Sequence, residues 1–187
     1  MLQGEKVKLV QLERDHTEGL YNALAHSQVW EFVLTKVRRY EDMDKIVEKA
    51  LKGKEQGKEL PFTLIDLETN EILGTTRIGD ISISHRSAEI GWTWLTPSVW
   101  RTGINPETKY LLLKYCFEEM KLRRVQFKIH ARNERSIRAV ERLGAVKEGE
   151  LRNMLVWDDR DNGNQVIFSI LDTEWDMVEK RLKGSLN

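Results

Sequence analysis

Pro97-Ser-Val-Trp-Arg-Thr-Gly-Ile-Asn105 is the stretch of sequence that decides the fold. It contains one glycine and stands between an apolar strand and a helix. A helix N-terminus presents unpaired N–H groups, and glycine lets a ligand approach the backbone closely, so such a turn can bind a diphosphate. Many strand-to-helix turns need glycine for geometry alone, and the turn by itself therefore does not identify a ligand.

A second strand and a second helix follow this turn. Asn105-Pro106 predicts the start of the first helix, with Asn as N-cap and Pro at the first helical position. Residues 124–131 are predicted to form a strand. Asn133 then caps a helix that Gly144 ends in the left-handed conformation. The second strand and helix would form the other side of a ligand site next to this turn.

The remaining elements predict one domain of α+β structure that spans residues 1–187. Strands at 61–67 and 71–78 form a hairpin, and a final hairpin joins strands at 151–157 and 165–171. No linker or repeat divides the chain. This order of elements is typical of a mixed sheet with helices packed on it.

The strand before the turn is predicted to cover residues 88–95, with regular alternation of its side chains. That alternation places Ile90, Trp92 and Trp94 on one face. It places three other side chains on the opposite face: Glu89, Gly91 and Thr93.

Composition limits the classes of function. The chain has 187 residues with 30 basic and 30 acidic side chains, a balance that gives no strong attraction to nucleic acid or anionic membranes. No segment approaches the roughly 20 apolar residues of a membrane-spanning helix, and the N-terminus lacks a signal-peptide pattern. The single cysteine, Cys116, excludes an internal disulfide and a multi-cysteine zinc site. We therefore expect a cytoplasmic protein without a metal, a nucleic-acid partner or a membrane partner.

Together with Asn133-Glu-Arg-Ser136 and Arg142-Leu-Gly144, the turn resembles the GNAT superfamily of acetyl-CoA-dependent N-acetyltransferases. The likeness is closer to the branch related to ribosomal-protein N-terminal acetyltransferases. It covers nearly the whole chain and is strongest from Glu89 to Gly149. It implies a mostly antiparallel mixed sheet, flanked by helices, in which strands 88–95 and 124–131 splay apart. It also implies acetyl-CoA as co-substrate.

The resemblance indicates which residues bind acetyl-CoA. Backbone groups of Thr93, Trp94 and Leu95 would pair with the pantetheine amides, as an added strand does. Asn133 would contact the co-substrate from the opposite wall, with Ser136 near the sulfur. The diphosphate turn would comprise Trp100, Arg101, Thr102, Gly103, Ile104 and Asn105. Two positions depart from the family pattern, because Trp100 replaces the usual Gln or Arg and Asn105 replaces the second small residue.

Formation of an amide from a thioester needs an unprotonated amine. Glu89 is the first candidate for the base, since Trp92 and Trp94 would desolvate it and raise its pKa. An ion pair or an electrostatic contact to the substrate amine is its alternative role. His130, at the end of the other strand, is the second candidate for the base, and a structural role for it stays open.

Ser136 is the candidate acid. Many family members place a Tyr seven residues after the motif Asn, but this chain has Val140 there. A thiol has a reference pKa of about 8.5, so a hydrogen bond from the Ser136 hydroxyl is enough to help a thiolate leave. Capping of the helix is the alternative role of Ser136. A backbone N–H near Trp92 or Thr93 would hold the carbonyl oxygen.

The acceptor site is the least defined part. Trp30, Phe32 and Trp157, together with Glu89, are predicted to bind the amine, although such aromatic residues are also typical of a core. The acceptor would be a small molecule or a peptide N-terminus. A homodimer through the final hairpin and helix is compatible with the sequence, but no residue selects it.

Two functions agree with these observations. The first is transfer of an acetyl group from acetyl-CoA to a primary amine by direct attack in a ternary complex. The second is a non-catalytic acyl-CoA-binding or sensor domain of the same fold, which the missing Tyr and the altered turn favour. Nucleotide phosphoryl transfer is poorly supported, because the turn lacks the Gly-Lys-Ser/Thr signature.

Overall fold

The computed structural model describes residues 1–156 and 163–186, the last two by their backbone alone. Within these ranges eight strands form one sheet, and five α-helices pack against it. The strands are β1 (Leu2–Gln3), β2 (Val7–Gln11), β3 (Leu60–Asp66), β4 (Ile72–Ser82), β5 (Ser87–Leu95), β6 (Arg124–His130), β7 (Val146–Leu151) and β8 (Gln165–Leu171). The helices are α1 (Thr17–Leu24), α2 (Tyr40–Glu55), α3 (Ile104–Lys114), α4 (Glu134–Leu143) and α5 (Trp175–Leu186).

The sheet has the strand order β1-β2-β3-β4-β5-β6-β8-β7. Among the described strands, β5 and β6 are the parallel pair and the other neighbours are antiparallel. The parallel ladder consists of three residue pairs: Ser87 with Arg124, Ala88 with Val125, and Glu89 with Gln126. Beyond them β5 continues beside β4 and β6 continues beside β8. The expected mixed sheet with one splayed strand pair is confirmed.

Two hydrophobic layers cover the two faces of this sheet. On one face α1 and α2 pack on the sheet, and the buried stripe of α2 has the helical spacing seen in Met43, Ile46, Val47 and Ala50. On the other face lie α3, α4 and α5, with buried apolar side chains from each. No helix in the described ranges is both long and apolar enough to cross a membrane.

Strand β5 contains a bulge that the alternating pattern did not reveal. Thr75 pairs with Trp94 and Arg77 pairs with Gly91, so Trp92 and Thr93 both lie opposite one residue of β4. Such an extra residue bends the strand and re-aims its side chains. Trp92 has a φ of +49°, in the left-handed region that a bulky side chain rarely adopts.

The bulge changes which side chains share a face. Ile90 packs in the layer of α3, whereas Trp92 and Trp94 pack in the layer of α1 and α2. The prediction that these three residues share one face is therefore wrong. Alternation holds only while each residue has one partner, and the inserted residue reverses it.

Helix α3 begins at Ile104 with Gly103 as its N-cap, so the prediction of Asn105 as N-cap is wrong. Gly103 has a φ of +96°, which glycine adopts without a steric penalty. Pro106 then occupies the third helical position instead of the first. Its missing N–H costs no hydrogen bond there, since the first N–H groups of a helix have no intrahelical partner.

The last strand pair is displaced from its predicted position. β8 covers 165–171 as expected, but β7 lies at Val146–Leu151 and not at 151–157. Because β7 is an edge strand with mostly exposed side chains, it shows no hydrophobic period. The predicted connection between the two strands of this hairpin, residues 158–164, lies largely outside the described residues.

Candidate active site

The separation of β5 from β6 creates a wedge in the sheet. In the described chain the ladder between these strands stops at Glu89, so residues 91–95 of β5 turn one backbone edge toward the wedge. The turn at residues 96–103 follows directly at the wide end. This arrangement brings Thr93, Trp94 and Leu95 next to the turn that contains Gly103.

The turn itself has the shape of an anion site. Arg101 and Gly103 both have positive φ values, +67° and +96°, and the N-terminus of α3 follows. A Cβ atom on Gly103 would lie 3.4 Å from the Lys6 Nζ, so an ammonium group stands beside the turn. Thr102 donates its hydroxyl to the Val99 carbonyl at 2.7 Å, which fixes the loop. These residues fit a diphosphate group.

Trp100 connects the turn to both walls of the wedge. Its indole N–H donates to the Leu95 carbonyl at 3.0 Å, and its ring packs against both hydrophobic layers. The guanidinium of Arg135, in the first turn of α4, lies 3.8 Å from the ring centroid. Trp100 therefore holds the turn in place, and the guanidinium of Arg135 lies over its ring.

Asn133 is the N-cap of α4. Its Oδ1 accepts a hydrogen bond from the Ser136 backbone N–H at 3.1 Å, and its own N–H donates to the His130 carbonyl at 2.8 Å. The cap role thus belongs to Asn133 and not to the hydroxyl of Ser136. Ser136 is half-buried at the first turn of α4.

Glu89 lies where the two strands part, and its side chain is buried. Lys128 of β6 places its Nζ 2.8 Å from Glu89 Oε2 and 2.9 Å from Asp80 Oδ2. Burial raises the pKa of the Glu89 carboxyl, and the contact with Lys128 only partly opposes this rise. The Trp92 ring lies against Gly79, the cross-strand partner of Glu89.

His130 lies at the opposite end of the wedge. It is four residues beyond Gln126, the partner of Glu89, which corresponds to about 13 Å along a strand. The ring is buried, and its Nδ1 accepts a hydrogen bond from the Arg132 N–H at 3.2 Å. The two candidate bases therefore lie at different ends of the wedge.

Of the three aromatic residues predicted to bind the acceptor, the structure describes Trp30 and Phe32. Trp30 is 1% exposed, donates its indole N–H to the Leu24 carbonyl at 2.8 Å and packs 4.8 Å from the Trp94 ring, so it belongs to the core. Phe32 is half-buried, with its ring centroid 5.8 Å from that of His130. Trp157 lies outside the described residues.

Sequence reasoning missed two buried cations at the site, Lys109 and Arg77. Lys109 donates to Thr93 Oγ1, and Arg77 lies between Glu59 and the rings of Trp92 and Trp94. Lys109 could have been found in the pattern of α3. It precedes Leu112 and Leu113 by three and four residues and so lies on the apolar face of the helix.

Comparison with known proteins agrees with this geometry. Residues 6–146 match the family model described as acetyltransferase (GNAT) domain. The Bacillus subtilis (strain 168) protein named "Putative ribosomal N-acetyltransferase YdaF" is 30% identical over 110 residues, 59% of each chain. A GCN5-related N-acetyltransferase from Brucella melitensis superposes with a TM-score of 0.91 at 25% identity, covering 100% of this chain and 85% of that chain.

A second solved structure shares the fold. Mycobacterium smegmatis RimJ in complex with CoA-disulfide has a TM-score of 0.82 at 21% identity, covering 96% of this chain and 88% of that chain. The matched family region contains the wedge, the Gly103 turn and both candidate bases. The chain therefore belongs to the GNAT family of acetyltransferases, and its relatives include one named for ribosomal N-acetylation.

Proposed function

We propose that this protein transfers an acetyl group from acetyl-CoA to a primary amine, by direct attack of the amine within a ternary complex. When bound, acetyl-CoA supplies the activated acetyl thioester. The observation that carries the proposal is the wedge, where three ladder pairs end at Glu89 and an edge of β5 leads to the Gly103 turn. A free strand edge that ends at an anion-binding helix N-terminus suits a ligand with an amide-rich arm and a diphosphate.

The residues that would hold acetyl-CoA follow from this arrangement. Backbone groups of Thr93 to Leu95 would receive the pantetheine arm, with the first-turn amides of α3 and the Lys6 ammonium toward the diphosphate. Asn133 and Ser136 would line the opposite side of the acetyl-CoA site, at the start of α4. The backbone N–H of Trp92 or Thr93, at the bulge, would stabilise negative charge on the carbonyl oxygen.

Glu89 is our proposed base, acting on the amine directly or through a water molecule. Burial raises the pKa of the Glu89 carboxyl and so brings it closer to the pKa of the substrate ammonium group than the pKa of an exposed carboxyl would be. Lys128 would orient the carboxylate, since it also holds Asp80. His130, beside Phe32, is the alternative base for an acceptor that enters from the wide end of the wedge. Ser136 is the proposed hydrogen-bond donor to the sulfur.

The proposed acceptor is a small amine or the N-terminus of a peptide. The named ribosomal relative favours a peptide, whereas the balanced charge of this chain gives no attraction to a strongly basic protein. An α-amine has a pKa of about 8, so its deprotonation at neutral pH costs less than that of a lysine side chain. We therefore place peptide N-termini first among the acceptors to be tested.

The test is consumption of acetyl-CoA against a panel of peptides with different N-terminal residues, amino acids and small amines. Turnover of the wild-type protein on at least one amine is expected. Glu89→Gln should lower kcat by roughly a hundredfold or more without loss of acetyl-CoA binding, because a positioned base contributes about 10²–10⁴ in rate. A His130→Gln variant run in parallel decides between the two bases.

A non-catalytic acyl-CoA-binding domain is the second candidate function. Two observations favour it, the ion pair that already engages Glu89 and the buried Val140 in place of a Tyr. Tight binding of acetyl-CoA without turnover on any amine of the panel would establish this role and reject the transferase.

A further inference from the structure

Lys109 is a buried cation beneath the bulge of β5. Its side chain is 6% exposed, and its Nζ donates a hydrogen bond to Thr93 Oγ1 at 2.6 Å. Burial lowers the pKa of Lys109 to about 7. Placing an ammonium group in an apolar layer is costly, so a leucine at this position of α3 would serve the core better. The proposed function above gives Lys109 no role.

The hydrogen bond from Lys109 continues into the backbone of the bulge. Thr93 Oγ1 lies 2.7 Å from Thr76 Oγ1, and it donates to the Gly91 carbonyl at 3.3 Å. Thr76 Oγ1 also reaches that carbonyl, at 3.4 Å. Each hydroxyl has a single proton, so when one proton lies between the two threonines the other is donated to the Gly91 carbonyl, and Lys109 donates at the far end of this network.

The Gly91 carbonyl shares its peptide plane with the N–H of Trp92. In a trans peptide the C=O and N–H bonds point in opposite directions, so a contact that fixes the oxygen also fixes the direction of the N–H. Hydrogen bonds that polarise the carbonyl strengthen the N–H as a donor. Trp92 has a left-handed φ of +49°, a conformation that the surrounding contacts must hold in place.

We propose that Lys109 is a positioning residue for acetyl transfer, which acts through Thr93 and Thr76 to orient the Gly91–Trp92 peptide so that its N–H faces the thioester carbonyl oxygen. This inference rests on the proposed function, because it assigns the Trp92 N–H as the donor to that oxygen. Lys109 itself touches neither reacting atom. It holds the donor in one orientation, so no reorganisation is needed as negative charge develops.

The test compares four proteins: wild type, Lys109→Met, Thr93→Val and Thr93→Ser. Met keeps the length of the lysine chain but removes the donor, and Val matches the shape of Thr without its hydroxyl. Thr93→Ser retains the hydroxyl and is the matched control. Infrared difference spectra of bound acetyl-CoA, labelled with ¹³C at the thioester carbonyl, report the hydrogen bond to that oxygen without requiring turnover.

We expect the bound carbonyl band of wild type and Thr93→Ser to lie at lower wavenumber than that of free acetyl-CoA. In Lys109→Met and Thr93→Val the band should return toward the free value. With an active amine, kcat should fall roughly tenfold in both variants, because a misaligned donor loses part of the about 10²–10³ that one such donor supplies. The dissociation constant of acetyl-CoA should stay within about twofold, and the double variant should be no worse than either single variant.

An unchanged carbonyl band in Lys109→Met and Thr93→Val would overturn the inference while leaving the transferase function intact. If wild type binds acetyl-CoA but turns over no amine, the proposed function fails and the carbonyl band still decides the role of Lys109. If wild type does not bind acetyl-CoA, both proposals fail together. Should Lys109→Met not fold, the Val and Ser variants at Thr93 give the same decision.

Discussion

Arg135 stacks its guanidinium on the indole ring of Trp100, with 3.8 Å between its Cζ and the ring centroid. Trp100 belongs to the turn before α3, and Arg135 belongs to the first turn of α4. Their contact joins the two walls of the wedge at its wide end, while the indole N–H ties the same ring to the Leu95 carbonyl. The wedge is thus braced from within the chain.

Removal of this brace should destabilise the fold. We expect Arg135→Ala to lower the free energy of unfolding by about 1 kcal/mol, the usual value of a cation–π contact near a surface. Arg138→Ala is the matched control, because Arg138 lies on the same helix and forms an exposed ion pair with Glu134. Urea unfolding curves measure both losses, and equal losses would show that the stacking adds nothing.

Glu89→Gln should stabilise the protein at neutral pH. Burial raises the folded-state pKa of Glu89, so the folded state prefers the protonated carboxyl and loses stability as the pH rises through that pKa. Gln stays neutral, and Lys128 keeps Asp80 as a partner in the variant. The gain should vanish below about pH 4, near the unfolded carboxyl pKa. Urea unfolding at pH 4 and pH 8 tests this, and a gain independent of pH would contradict it.

Ser136→Ala should lower kcat several-fold without abolishing it. Coenzyme A leaves as a thiolate whose conjugate thiol has a pKa of about 8.5, so a hydrogen bond assists its departure but is not essential. The melting temperature should hardly change, because Asn133 caps α4 and contacts the Ser136 backbone N–H, which Ala retains. Steady-state kinetics identical to wild type would remove Ser136 from the reaction.

Glu107→Ala should cost about 2–3 kcal/mol of stability. The buried Glu107 carboxylate of α3 accepts hydrogen bonds from the backbone N–H groups of Glu5, Lys6 and Val7 at 2.5, 3.1 and 3.1 Å. Ala would leave these donors without their acceptor, and an unsatisfied buried group costs about 1–3 kcal/mol.

Glu107→Gln is the comparison for this prediction. Gln keeps one acceptor oxygen of the same reach, so its loss should be clearly smaller than that of Ala. Thermal and chemical unfolding measure both. If the two variants lose the same stability, the three N–H contacts are not the source of the effect.

The order of the main strands and helices could be predicted from the sequence, whereas the wedge was expected only from the resemblance to the GNAT superfamily. Helix and strand periods are local, and the turn between residues 97 and 105 marks the crossover after β5. Glu89 could be predicted to lie in a desolvated position from its neighbours alone. Its contact with Lys128 could not, since the parallel register of β5 and β6 brings together residues that are distant in the chain.

The bulge and the start of α3 depended on backbone conformations that the alternating pattern of β5 and the Asn-Pro capping pattern do not specify. Trp92 adopts a positive φ against its own preference because the sheet pairing on both sides holds it there. Gly103 replaced Asn105 as the helix cap because the positive φ needed at that point favours glycine. Lys109 was not predicted as a site residue, although its spacing to Leu112 and Leu113 places it on the apolar face of α3, because a lysine is normally expected at the surface.

The extra residue at Trp92–Thr93 reverses the alternation of side chains along β5. Before it, odd-numbered side chains face the layer of α1 and α2. After it, the even-numbered Trp94 faces that layer, and Thr93 reaches the lysine on the other side. Deletion of one residue here would turn each side chain of β5 beyond the bulge to the opposite face of the sheet, without any change in the chemistry of those side chains. The number of residues in this strand therefore decides which side chain beyond the bulge meets Lys109 and which meets Trp30.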